Sequence, residues 1–162
     1  MSVQPILQTM TQLKQLHESL LALSQNKTDA LKANDTTALQ KLLATERKHV
    51  QAINKVEKQR MTTVAQWYTS QGLTATEPTI SEMLEHLEGE QYEALENKYN
   101  ELILVLADLK KQEILNAELT KQSLQFVNLY LDMLQPSLES VNYGVNESQS
   151  TKSKRSVFDS KA

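Results

Sequence analysis

Glycine and proline are confined to six positions: Pro5, Gly72, Pro78, Gly89, Pro136 and Gly144. None falls between residues 6 and 71 or between 90 and 135. These are the residues that most strongly interrupt a helix, glycine through backbone entropy and proline through its missing N–H and its ring. The two uninterrupted stretches are rich in Leu, Gln, Lys, Glu and Ala, all good helix formers. The chain is therefore expected to be all-α. The same scarcity removes whole classes of site. A dinucleotide fold or a P-loop needs clustered glycines to bring backbone close to phosphate, and this chain has no such cluster.

The first stretch is too long for one helix in a compact domain, and Lys32–Thr37 supplies its turn. Asn34 and Asp35 tolerate turn geometry, and Thr37 with Gln40 matches a capping box. Before the turn, Val3, Ile6, Met10, Leu13, Leu20 and Leu31 share one seven-residue pattern. After it, Leu39, Leu43, Val50, Ile53, Val64 and Trp67 continue in the same manner. Steps of three and four place such residues along one stripe of a helix. Gly72 reads as a C-terminal cap, and residues 72–78 as a loop. Thr79 with Glu82 forms a second capping box. It opens a short helix that buries Ile80, Met83, Leu84 and Leu87 and ends or kinks at Gly89.

The longest helix is expected from about residue 90 to 135 and is ended by Pro136. Tyr92, Leu95, Tyr99, Leu102, Leu106 and Leu109 hold one heptad frame. That frame then meets Glu113, Asn116, Thr120 and Ser123, where the seam turns polar and its phase changes, as in a stutter. The expected layout is an elongated antiparallel helical hairpin or three-helix bundle over 1–136. A flexible polar tail over 137–162 follows, too poor in large apolar groups to offset its chain entropy.

Composition narrows the function further. Of the 162 residues, 40% are hydrophobic and 23% charged, with a net charge of -3. No strong nucleic-acid footprint is present. The longest apolar run, Leu102–Ala107, falls far short of the ~20 residues that cross a bilayer, so no membrane insertion is expected. Met1–Pro5 has neither a basic region nor a signal core. Cysteine is absent, which excludes disulfides, thiolate nucleophiles and cysteine-ligated metal sites and suits a reducing cytoplasm.

Residues 124–134 read Leu-Gln-Phe-Val-Asn-Leu-Tyr-Leu-Asp-Met-Leu, and eight of these eleven are large and apolar. Lys121, Gln125, Asn128 and Asp132 form one narrow polar stripe, and the rest of the cylinder is apolar. That arc is wider than packing on two sister helices requires. Helices of roughly 30, 35 and 46 residues, run up, down and up, leave an excess of ~16 Å at 1.5 Å per residue on the last one. The excess falls on this apolar segment. An exposed patch of this kind marks a binding surface, here a face for a partner's amphipathic helix. The plainer reading is core, or the seam of a homodimer.

The segment Ser123-Leu124-Gln125-Phe126, then Leu131-Asp132-Met133-Leu134-Gln135-Pro136, then Asn142-Tyr143-Gly144, on a long helix carrying Asn116 and Leu119, resembles the FlgN family of flagellar type III export chaperones. The likeness is specific over 116–144 and architectural elsewhere. It implies a bacterial cytoplasmic chaperone that binds the terminal amphipathic helices of hook–filament junction proteins (FlgK/FlgL type). Such a chaperone prevents premature assembly and delivers its client to the export gate protein FlhA. Carried onto this chain, the client face is Leu119, Leu124, Phe126, Val127, Tyr130, Leu131 and Leu134. Tyr143 with Gly144 matches the family's export-gate docking tyrosine, placed here in a mobile tail.

No catalytic constellation is found, and no cofactor or metal is expected. Glu46 and His49 form a single Glu-x-x-His pair, whereas a di-iron bundle needs two such pairs and two further glutamates. His17 and His86 lack a glutamate three residues earlier. The three histidines are expected one on each of three helices. Trp67, Tyr68, Met10, Met61 and Met133 are read as packing, and the Lys152–Arg155 basic cluster as solvated tail. The alternatives are a structural coiled-coil or spectrin-like adaptor that self-associates through its C-terminal helix and, less favoured, a metal-binding four-helix-bundle enzyme.

Overall fold

The computed structural model describes residues 2–145, with side chains described to Leu134. Four helices follow one another: α1 (Gln4–Lys32), α2 (Thr36–Ser70), α3 (Ile80–Leu84) and α4 (Gly89–Val145). No strand occurs among the described residues. The all-α expectation is met. The chain divides into two compact units, Met1–Thr120 and Lys121–Ala162.

Local chemistry sets the helix ends. Asn34 adopts the left-handed conformation, with φ of 54°. This lets the Asp35 N–H reach the Ala30 carbonyl at 3.0 Å and the Asn34 N–H the Leu31 carbonyl at 3.3 Å. That pair of bonds is a Schellman closure of α1. Asp35 then caps α2, its carboxylate accepting from the Ala38 N–H at 3.0 Å. The capping box expected at Thr37 and Gln40 is therefore displaced: Asp35 already serves as the cap ahead of it, and α2 starts at Thr36. Gly72, at φ 68°, closes α2 in the same way, with the Leu73 N–H on the Tyr68 carbonyl at 3.0 Å.

The capping box at Thr79 and Glu82 forms as expected. Thr79 Oγ1 accepts from the Glu82 N–H, and Glu82 accepts from the Thr79 N–H. The helix it opens is short, ending at Leu84, so His86 lies beyond it in a turn. Two further expectations are corrected. Pro136 does not end the last helix, which continues to Val145. Met61 and Met133 are exposed, unlike Met10, Trp67 and Tyr68, which pack in the core.

The core of Met1–Thr120 gathers at one end. Val3, Ile6, Met10 and Leu13 meet Val64, Trp67 and Tyr68 of α2, Ile80 and Met83 of α3, Leu87, and Leu95 and Leu102 of α4. Each such side chain contributes about 1.5–3 kcal/mol by leaving water. Tyr68 stands edge-on to Trp67 and to His86, with ring centroids 5.3 and 5.8 Å away. Its hydroxyl is buried and has no protein partner. Loss of water around that hydroxyl raises its pKa, with the carboxylates of Glu82 and Glu85 adding to the effect.

Toward the other end the seam is polar. Lys27, 9% exposed, sends its ammonium to Glu46 of α2 at 3.1 Å and to Glu113 of α4 at 3.1 Å. Ser24 donates to Glu113 at 2.7 Å. Asn116 donates to the Ser24 carbonyl at 2.9 Å, while its own carbonyl accepts from Thr28, which in turn accepts from Gln112. These bonds also fix direction. Lys14 meets Glu101, Ser24 meets Glu113 and Thr28 meets Asn116, so α1 and this part of α4 run parallel. Lys27 with Glu46 sets α2 antiparallel to α1.

Candidate functional site

The expected client face falls on α4, with its residues divided between the two units. Leu119 belongs to Met1–Thr120, where it is half-buried. Leu124, Phe126, Val127, Tyr130, Leu131 and Leu134 belong to the second unit. All six, with Leu129 and Met133, are exposed, at 37–69%. The helix explains the arrangement. Leu124, Val127, Leu131 and Leu134 follow steps of three and four along one stripe, and Phe126, Leu129 and Met133 run along a second. Tyr130 lies between them. The narrow remaining stripe carries Lys121, Gln125, Asn128 and Asp132. The surface is thus apolar over most of its circumference and nearly uncharged. Tyr143 and Gly144 fall within the backbone range of α4, not in a mobile tail, and their side chains lie outside those described. The expected tail beyond Val145 and its basic cluster also lie outside the described residues.

The described part of this surface is built almost wholly of apolar side chains. It can desolvate an apolar helix laid against it, at ~25 cal/mol per Å² of apolar area buried. No group of three or more His, Asp or Glu side chains could hold a metal among the described residues. Glu46, half of the lone Glu-x-x-His pair, is engaged by Lys27. His49 turns its Nδ1 to the Thr45 carbonyl at 3.0 Å.

Sequence reasoning missed a second surface in the first unit. A groove of about 950 Å³ runs between α2 and α4, with α1 as its floor. His17 sits on that floor, its Nδ1 donating to the Leu13 carbonyl at 2.7 Å. Glu57 and Arg60 on α2 pair with each other at its edge, with Arg60 Nε 2.9 Å from Glu57. The hydrogen bonds from Arg60 hold the Glu57 carboxyl below the usual carboxylate range. No local pattern marked the groove: Val50 shares the frame of Val64 and Trp67, and Met61 lies one turn from Val64.

The described residues thus form α-helices with an exposed apolar helical surface on α4. The family model described as FlgN protein matches residues 1–151. The chain is also 39% identical to YvyG of Bacillus subtilis (strain 168), described as an uncharacterized protein, over the full length of both chains. No solved structure matches. The chain belongs to the FlgN family, which is a family of flagellar export chaperones and not of enzymes. No described helix is long and apolar enough to cross a membrane.

Proposed function

We propose that this protein is a cytoplasmic chaperone for hook–filament junction proteins of the FlgK/FlgL type, and that it carries out no catalysis. It holds the terminal amphipathic helices of its client against Leu119, Leu124, Phe126, Val127, Tyr130, Leu131 and Leu134, and it hands the client to the export gate protein FlhA through Tyr143 and Gly144. The observation that carries this reading is the exposure of all eight large apolar side chains between Leu124 and Leu134. An apolar surface of that extent calls for a partner. A helix-in-groove or helix-on-helix contact is the mode it supports. Ordering both partners offsets part of the gain from burial, so affinity is moderate, as a complex that must release its client requires.

Calorimetric titration with the C-terminal helical segment of a junction protein tests the reading. One-to-one saturable binding is expected. Phe126→Asp should abolish it with helicity retained, because the new charge has no partner on that face. Tyr143→Ala should leave client binding intact and weaken capture of FlhA. No binding by the unaltered chain, or unchanged affinity in Phe126→Asp, would overturn the proposed face. Equal loss of both partners in Tyr143→Ala would remove the separate role of that residue.

A further inference from the structure

Charge is sorted by face on α2. The helix carries six cations and two acids. Both acids are engaged, Glu46 by Lys27 of α1 and Glu57 by Arg60. The other five cations, Lys41, Arg47, Lys48, Lys55 and Lys58, are exposed, and none has an ion-pair partner among the described residues. Lys41, Lys48 and Lys55 recur every seven residues, on the side of the helix opposite Ile53, Val64 and Trp67. Ala44, Thr45, Gln51 and Gln59 fill the spaces around them, so this face holds neither an acid nor a large apolar group.

Solvation alone does not call for such sorting. Exposed helices interleave their charges, because opposite signs three or four residues apart stabilise. α1 and α4 follow that rule with Lys14–Glu18 and Lys98–Glu101. α2 instead sets Lys55 three residues before Lys58, and the two share a shallow hollow with Gln59 and Thr62. Like charges at that spacing cost stability. The excess is local, since the whole chain stands at -3.

The row also has a shape. Lys41 to Lys58 spans ~25 Å, and successive lysines of the row stand ~10 Å apart. A straight row of cations presents its charge to a plane. A protein partner fits poorly, because specific interfaces have apolar cores depleted in lysine. Nucleic acid fits poorly too: the face has no aromatic ring for stacking on a base and a single arginine for bidentate phosphate contact. Four to eight clustered cations on a helix are the footprint that anionic lipid headgroups recognise. We propose that the outer face of α2 docks on an anionic lipid bilayer, lying along its surface without entering it. Export crosses a membrane, so this contact holds an export chaperone where its cargo must be delivered. That consequence rests on the reading above, whereas the lipid contact does not.

Flotation of the full-length chain tests the proposal, with vesicles of equal parts phosphatidylglycerol and phosphatidylcholine against phosphatidylcholine alone. Binding is expected to the anionic vesicles only, at about 50 mM salt, and is expected to vanish at about 300 mM as the charges are screened. Each cation at an anionic surface contributes about fivefold in affinity, so Lys41→Gln with Lys48→Gln and Lys55→Gln should weaken binding by about a hundredfold. The circular dichroism of that triple variant should be unchanged, because none of the three lysines has an ion-pair partner. Its affinity for the client helix should be unchanged as well, which separates failure of the lipid face from failure of the client surface. No binding to the anionic vesicles at low salt would overturn the proposal. So would binding that persists at high salt or on phosphatidylcholine alone, which would place the contact on the apolar segment of α4. Loss of binding in Lys152→Gln with Lys154→Gln and Arg155→Gln, with the α2 variant still bound, would move the site to the basic cluster beyond Val145. Tighter binding to a short DNA duplex than to the vesicles at equal salt would make nucleic acid the partner and overturn the proposal equally.

Discussion

Lys27→Met isolates the polar seam. The ammonium of Lys27 is the cation shared by Glu46 and Glu113, and its removal leaves two carboxylates facing one apolar side chain. Breaking a fully buried ion pair by deleting one partner costs about 3–5 kcal/mol. Here the carboxylates keep some water, with side chains 24% and 40% exposed. Solvent therefore screens part of the repulsion, and about 2–3 kcal/mol is expected. For a chain of this size that lowers Tm by about 5–10 °C. Urea unfolding followed by circular dichroism measures the change. A triple variant, Lys27→Met with Glu46→Gln and Glu113→Gln, removes all three charges and should recover more than half the loss. Ser24 keeps an acceptor in it, because the Glu113→Gln change retains one side-chain oxygen. If Lys27→Met stayed within ~0.5 kcal/mol of the unaltered chain, the seam would be solvated and without structural weight. If the triple variant were no better than the single one, lost packing by the lysine stem would be the cause.

Four further expectations follow from the core and the helix ends. Tyr68→Phe deletes a buried hydroxyl with no protein partner, so it should leave stability unchanged or raise it by up to ~1 kcal/mol in urea unfolding; a larger loss would mean the hydroxyl is hydrogen-bonded. Gly72→Ala meets open space but a φ of 68°, and thermal unfolding should show a cost of ~1–2 kcal/mol from the left-handed backbone alone. Thr79→Ala removes one half of a reciprocal capping box and should cost ~1 kcal/mol, with amide exchange rising first in α3. For Glu57, whose folded pKa lies below its ordinary value of 4.5, the stabilisation is complete above that pH and fades as pH falls through the lowered value. Arg60→Gln should flatten that acid limb of a pH titration of stability, and an unaltered limb would assign it to other carboxylates.

The helical plan was legible because its punctuation is local. Asn34, Gly72, Thr79 and Gly89 act on their immediate neighbours, and each marks a boundary in the fold. Pro136 misled because proline costs a helix about 3 kcal/mol but does not forbid it, and the surrounding residues carry α4 past it. The polar network was half visible. Glu113 and Asn116 stood out as a break in the α4 frame, but Ser24, Lys27 and Thr28 occupy the matching core positions of α1. Only the two together show that the seam changes character and keeps its pairing. The apolar surface at 124–134 was readable from periodicity, since its width needs no tertiary information. The groove was not, because it is a gap between helices, and no local pattern records where two helices stand apart.

Asp35 carries two duties with one residue. Its N–H ends α1 and its carboxylate begins α2. No spare residue separates the helices, so the length of this turn sets their register. One inserted residue would advance α2 by ~1.5 Å and rotate it by about 100°. Glu46 would then leave Lys27, and Val64 and Trp67 would turn away from Met10 and Leu13. Between Leu73, whose N–H closes α2, and Thr79, which caps α3, no single residue serves both helices, so residues 74–78 can change length with less effect on register. Among descendants of this chain, insertions and deletions should collect in the second connection and be purged from the first.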